Sequence, residues 1–352
     1  MQAPLFSCPR RPLENINPPS GFCTCTRTGR QGTSVVISPG DVVASVLPVY
    51  LLIVAGAVFR RTGIVRKEHD EGVMRVVYTI MLPCFMLDKI LGSAVLRSGP
   101  VVVSSIGIGF GMIMAGIAIG FVVGRLLGLE RGTGMRTFAL SSGCQNFGFT
   151  AAPVVEILWS TGALSLLFVH NIGVEFAMWS VGVMIMSAER GVPWRKLVNG
   201  PVLAVLFGLL MVALGWDTHF TGAPRKAISM IGIGAFPLAV MITGCTIMDL
   251  VVAERPTLKI IVGSSLVRLV LAPLAILAVA KYLPLAPELK QVLVVQAAMP
   301  AGMTPIMLAR MYGGRPAIAV QIVVFTTALS LLTLPWIISF GCQWIGLKPL
   351  LH

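Results

Sequence analysis

Two apolar stretches of this 352-residue chain carry helix breakers beside amide and hydroxyl side chains. The first reads Ser141-Ser142-Gly143-Cys144-Gln145-Asn146-Phe147-Gly148-Phe149-Thr150-Ala151-Ala152-Pro153. The second reads Gln296-Ala297-Ala298-Met299-Pro300-Ala301-Gly302-Met303-Thr304-Pro305. Proline removes a backbone donor and collides with the preceding turn, at about 3 kcal/mol or more in a helix interior. Lipid cannot satisfy the carbonyls so freed, so a break of this kind persists only inside protein or beside a water-filled cavity. Gln145, Asn146, Gly148, Thr150 and Pro153, with Gln296, Pro300, Gly302, Thr304 and Pro305, are the candidate binding residues. A half-helix that starts after a break aims the positive end of its dipole at the cavity, which suits an anion. A plain kink patched by polar side chains would explain one such stretch; two at matching positions favour a binding site.

Ionisable residues inside apolar runs are the next candidates. Arg268 lies mid-span, where a charge costs about 2.5–3.5 kcal/mol on insertion scales. It either neutralises a ligand carboxylate or pairs with a carboxylate of the protein. Glu156 falls three residues after Pro153, in a first helical turn that favours a carboxylate, and reads as a coupling group or as a capping or pairing group. His170 and Glu175, five apart, project about 140° from each other on an ideal helix, which makes a shared proton site between them weak. Asp88 and Asp249 end apolar cores and read as interfacial. No HExxH or GxSxG motif is present, so the pattern is not that of a zinc or serine enzyme. The seven cysteines form no CxxC pair, and with four histidines no metal centre is indicated. No cofactor is expected.

These residues need helices that span lipid. Apolar residues make up 56% and charged residues 12% of the chain, and mean hydropathy is +0.87. Soluble domains carry roughly 25% charged residues, so an ordinary soluble enzyme and a disordered chain are excluded. A bilayer core takes roughly 20 helical residues. Val42–Phe59, Ser98–Gly124, Leu197–Trp216, Ala227–Met248, Gln291–Ala309 and Pro316–Leu347 are free of charge or nearly so; Val73–Leu96 and Ile260–Ala280 carry few charges. Thr137–Ala188 is long enough for two spans with a turn near Ser160–Gly162. The expected fold is an all-α integral membrane protein of ten transmembrane helices. Residues 1–40, rich in proline and without a signal-type apolar run, are expected to be a disordered tail. Lys and Arg divide fifteen to seven between the two sets of loops. The richer set is expected in the cytoplasm, with both termini outside the cell membrane. The net charge of +13 thus reads as orientation, not as a nucleic-acid surface.

The prolines repeat. Pro48, Pro83 and Pro153 are matched by Pro201, Pro237 and Pro305 at offsets near 153 residues. Chance among 23 prolines is one explanation. The other is a duplicated five-helix unit, residues 41–196 and 197–352. Five being odd, the second copy enters from the opposite face, and inverted repeats with broken helices mark secondary transporters.

In this order and spacing, several motifs resemble the auxin efflux carrier family of transporters, which includes malate and malonate permeases. They are Leu47-Pro48 with Arg60-Arg61-Thr62-Gly63, Leu82-Pro83, Asn146 with Gly148 and Pro153, Gly234-Ala235-Phe236-Pro237, Arg268 with Pro273, and Gln296 through Pro305. The resemblance covers about residues 41–341. It implies an inverted five-plus-five repeat with a scaffold of helices 1, 2, 6 and 7 and a transport domain of helices 3–5 and 8–10. Helices 4 and 9 would cross at their prolines, as in the related fold of cation–proton antiporters. It further implies elevator-type alternating access, a small organic anion as substrate, and a possible homodimer. In the auxin carriers an Asn seven residues before the crossover proline lines the site, and Asn146 stands at that spacing from Pro153. Those carriers also use an acid in the third span as an ion-site substitute, and Ser98–Gly124 has none, so coupling to protons or sodium is left open. The alternative is a cation–proton antiporter or sodium-coupled anion symporter of related fold. Such antiporters place adjacent acids at the crossing, where this chain has Gln145-Asn146. A non-transporting sensor or scaffold is a further alternative.

Overall fold

A computed structural model describes residues 39–347, apart from 131, 133, 188–197 and 254–256. Nearly all of the expected tail, 1–38, lies outside the described residues. Sixteen α-helices are described: α1 (Pro39–Arg61), α2 (Asp70–Val76), α3 (Leu82–Ile90), α4 (Gly99–Leu126), α5 (Met135–Gly143), α6 (Ala151–Leu158), α7 (Thr161–Ala177) and α8 (Val183–Met186), then α9 (Gly200–Ala213), α10 (Gly222–Gly232), α11 (Ala235–Ala253), α12 (Leu258–Leu266), α13 (Ala272–Tyr282), α14 (Pro287–Ala298), α15 (Thr304–Met311) and α16 (Pro316–Ile345). No strand occurs among the described residues. Five continuous stretches are long and apolar enough to cross a bilayer: Gly99–Leu126, Thr161–Met186, Gly222–Asp249, Leu258–Tyr282 and Pro316–Ile345.

Three of the joints are single π turns: Val77–Met81 between α2 and α3, Met178–Gly182 between α7 and α8, and Val267–Leu271 between α12 and α13. Two of them immediately precede a helix with proline at its second position, Pro83 or Pro273. The ring would strike the carbonyl four residues back. Widening that turn moves the carbonyl aside, and the amides of Leu82 and Ala272 bond to Val77 and Val267 five residues back instead. The second expected span is shorter than its sequence suggests. It stops at Ile90, because Gly92 takes a left-handed turn at φ +81° and Ala94–Arg97 continue as a 3₁₀ turn.

α5, α7 and α14 lie innermost, with most of their residues buried. α1, α9 and α16 turn large apolar side chains outward, among them Leu51, Val54, Phe207, Leu210, Leu332 and Trp336. Water would penalise that surface at about 25 cal/mol per Å², whereas lipid would not. Small residues bring backbones together, as in other lipid-embedded helix pairs. A β-carbon on Gly56 of α1 would stand 1.9 Å from the Met241 carbonyl oxygen of α11, and one on Gly244 of α11 would stand 2.0 Å from that of Ile53. Where α1 ends, Arg60 ties three segments: it meets Asp70, reaches Asp249 at 3.2 Å, and donates to the Val65 carbonyl at 2.8 Å. Asp88 meets Arg225 at 3.5 Å, so both aspartates sit in ion pairs.

Candidate functional site

α5 stops at Gly143 and α6 starts at Ala151; α14 stops at Ala298 and α15 starts at Thr304. The two non-helical intervals, 144–150 and 299–303, run side by side in an antiparallel backbone contact between Gln145 and Ala301. The Asn146 amide donates to the Pro300 carbonyl at 2.7 Å, and the Gly302 amide to the Cys144 carbonyl at 2.9 Å. Thr326 of α16 accepts from the Ala301 amide at 3.1 Å. Each interval thus satisfies the backbone groups that the other leaves open. Gly302 is required for this approach, since a β-carbon there would stand 2.7 Å from the Gln145 carbonyl oxygen.

Pro153 and Pro305 are not where the chain breaks, which corrects the expectation of helices crossing at those prolines. Pro153 is the third residue of α6 and Pro305 the second of α15. In a first turn the missing N–H has no intrahelical acceptor to lose, so these prolines start the second half-helices. Only Pro300 lies within a break.

Both first half-helices end at the contact and both second half-helices begin there. Arg268, in the π turn between α12 and α13, is fully buried behind it. Its Nη1 lies 3.5 Å from the Gly143 carbonyl and its Nη2 3.4 Å from that of Ala297. These are the carbonyl ends of α5 and α14, the negative poles of two helix dipoles. At such lengths the contacts act as charge–dipole attraction more than as tight hydrogen bonds. Arg268 meets no carboxylate among the described residues, and it does not line the cavity on the other side of the contact.

That cavity, of 280 Å³, opens directly on the paired breaks. Gln145, Asn146, Gly148, Gly302 and Thr304 line it. Asn146 Nδ2 donates to Thr150 Oγ1 at 2.8 Å, which holds the Asn at the entry of α6. Gln296 stands behind the lining: its Nε2 reaches Asn171 Oδ1 at 3.3 Å and the Phe147 carbonyl at 3.4 Å. Pro300 contributes its carbonyl to the contact, and Pro305 is buried in α15. The Gln145 side chain is completely buried, and neither its amide oxygen nor its amide nitrogen has a hydrogen-bond partner among the described residues. A buried amide left so is costly, at about 1–3 kcal/mol per unsatisfied group.

Several lining residues were missed by reading the sequence. Asn171 of α7 donates to the Phe147 carbonyl at 2.9 Å and so fixes the first break. Tyr78 packs edge-on against Phe149 at 5.4 Å between ring centres. Asn199 and Thr243 complete the polar lining. An Asn in an apolar run was a usable signal; Tyr78, Asn199 and Thr243 gain their places only through packing. Of the proposed coupling residues, Glu175 lines the cavity and accepts from Trp179 Nε1 at 2.8 Å. Glu156 does not; it pairs with Lys89 at 2.7 Å. His170 is fully buried against α4, its carbonyl facing Gly109, and is absent from the lining.

A family model described as a membrane transport protein matches residues 41–192 and 187–338. The chain belongs to the auxin efflux carrier family of membrane transport proteins. Auxin efflux carrier component 7 of Arabidopsis thaliana is 31% identical over 158 residues, which are 42% of this chain and 25% of that protein. Auxin efflux carrier component 3a of Oryza sativa subsp. japonica is 30% identical over 157 residues, again 42% and 25%. The matched stretch spans about a quarter of the length of these relatives. This member of the family is a multi-pass membrane protein.

A second cavity, of 220 Å³, lies toward the other ends of the same helices. Along one helical segment Met74, Tyr78, Leu82 and Met86 line the first cavity, and Phe85, Asp88 and Lys89 line the second. Pro153 and Glu156 belong to this second cavity. Three rings separate the two. Phe85 and Phe236 lie 5.0 Å apart, Phe85 and Phe168 6.1 Å, and Phe168 and Phe236 6.5 Å. Phe236 lines both cavities.

Proposed function

We propose that this family member is a secondary transporter of a small organic anion, a carboxylate such as malate, malonate or an auxin-like acid. The observation that carries this reading is a cavity lined by Gln145 and Asn146 at the junction of two half-helix entries, with the Gln145 amide left unpartnered among the described residues. The positive ends of α6 and α15 and the amide groups of Gln145 and Asn146 would receive a carboxylate. A volume of 280 Å³ is at the small end of ligand cavities, roughly 300–1,000 Å³, and suits a small acid better than a lipid or peptide. The relatives named as auxin efflux carriers support the substrate class.

In this reading the chain crosses the cell membrane ten times as an inverted repeat, 41–196 and 197–352, with both termini outside. The cavity is lined from one side by residues of α3, α9 and α11 and from the other by both breaks and α7, as expected where a transport domain slides on a scaffold. Elevator-type motion would then present Asn146 alternately to each side. No cofactor takes part, and a homodimer is the proposed assembly.

Purified protein in nanodiscs tests this. Malate, malonate and indole-3-acetate are titrated by calorimetry, followed by flux in proteoliposomes. At least one acid should bind, and Gln145→Ala should weaken it about tenfold, the equivalent of roughly 1.4 kcal/mol. Equal affinity in the Gln145 variant would remove the site from this cavity. The second reading, a cation–proton antiporter or sodium-coupled anion symporter, draws on Glu175, the one acidic or basic residue lining the cavity among the described residues.

A further inference from the structure

We propose that Glu175 is the proton carrier of this site: the carboxylate substrate occupies the cavity together with one proton, held on the Glu175 side chain. The proposal rests on the anion reading above and supplies its coupling.

The lining of the cavity contains no Lys, Arg or His among the described residues, and Glu175 is its one carboxylate. An ionised Glu175 would face the ionised substrate across a space of 280 Å³. Like charges that close, away from bulk water, disfavour double ionisation, as in paired carboxylates that share a proton. No charged group among the described lining residues relieves the repulsion. Glu175 takes part in no salt bridge among the described residues; its hydrogen bond comes from Trp179 of the same helical segment.

The surrounding elements agree. α4, packed along α7, has no acid or base before Arg125. α9 has none at all. α6 offers only Glu156, engaged with Lys89 at the other cavity. α14 has Glu288 and Lys290 at its far end, and Arg310 of α15 is not in the lining. Arg268 is turned toward Gly143 and Ala297 behind the breaks. Tyr78, from the turn between α2 and α3, lines the same cavity, and Cys144 precedes the lining residue Gln145. Both are uncharged near neutral pH at their ordinary values. A proton on Glu175 is therefore the available way to neutralise the loaded cavity.

The balance is simple. On anion binding the Glu175 carboxylate takes one proton from the solution on that side. On release at the opposite side the proton leaves with the anion. A monocarboxylate then moves without net charge, and a dicarboxylate with one net negative charge. Linkage is reciprocal, so anion binding raises proton affinity by the factor by which protonation raises anion affinity.

Calorimetry of the full chain in nanodiscs, with malonate, malate and indole-3-acetate in two buffers of different ionisation enthalpy, reads the proton directly. Above the titration of Glu175, wild-type protein should take up about one proton per anion and its Kd should weaken toward about one decade per pH unit. Glu175→Gln should show no uptake and a flat pH profile, and Glu175→Asp should restore both. Should Glu175→Gln fail to fold, Trp179→Phe serves. It removes a donor that favours the carboxylate, so the loss of affinity should move to higher pH. Binding with no proton uptake anywhere above that titration, or uptake unchanged in Glu175→Gln, overturns the proposal and leaves the anion reading standing. Binding of none of the three acids overturns that reading, and the proposal with it.

Discussion

Gly302 and Arg268 hold the crossing from its two sides, one by having no side chain and the other by a charged one. Gly302→Ala would press a methyl group on the Gln145 carbonyl. Overpacking costs about 1–3 kcal/mol, so binding of the substrate acid should weaken by about fivefold to a hundredfold while the protein still folds. Calorimetry alongside size-exclusion chromatography checks both halves of that statement. Arg268→Met removes the positive group from two carbonyl ends, each worth up to about 2 kcal/mol in buried geometry. We expect the unfolding free energy to fall by about 2–4 kcal/mol, with Arg268→Lys recovering part of it; an unchanged denaturation midpoint in Arg268→Met would refute the dipole role. At this scale the sequence was readable where chemistry is local. Gln145, Asn146, Gly302 and Thr304 stand out because amides, hydroxyls and breakers are conspicuous in an apolar run. The partners of Arg268 were not readable, because they are main-chain carbonyls of two other helices, and every residue has one of those.

Proline acts here on the element that precedes it. Pro273 follows the π turn that carries Arg268, and Pro83 follows the one that carries Tyr78. Restoring the amide in Pro273→Ala lets the turn relax toward regular α geometry, which rotates Arg268 by about 100° per residue of register. We expect helix content and folding to survive while flux in proteoliposomes falls by about tenfold or more, as misplacement near 1 Å can cause. Equal flux would mean that the π turn is incidental. The same logic explains why the break was legible and its position was not. A proline signals that something ends nearby, but Pro153 and Pro305 are tolerated in first turns, so the non-helical residues lie before them. The shortfall of the second span at Ile90 came from Gly92, whose left-handed turn looks like any other glycine in a sequence.

Across the whole molecule, the Lys89–Glu156 pair joins α3 to α6, the two groups of helices that the proposed motion would slide past each other. Glu156 is 41% exposed, so the pair should contribute no more than about 1 kcal/mol to stability. Its effect should fall on the balance between states. Lys89→Glu and Glu156→Lys should each lower flux by about threefold to fivefold, the range of about 1 kcal/mol, and the double swap should recover most of it. A double swap no better than either single change would show that the pair does not act as a unit. The helical, lipid-embedded character was evident from composition, because nothing soluble tolerates so few charges. The cavity wall was not, since Tyr78, Asn171, Asn199 and Thr243 come from four separate segments. One ring belongs to both chambers, and that restricts how selectivity can be tuned. Trimming Phe236 to admit bulkier cargo would also perforate the partition and let ions leak. Size preference must therefore be adjusted at the far wall, where Met74, Val202 and Met307 face a single compartment.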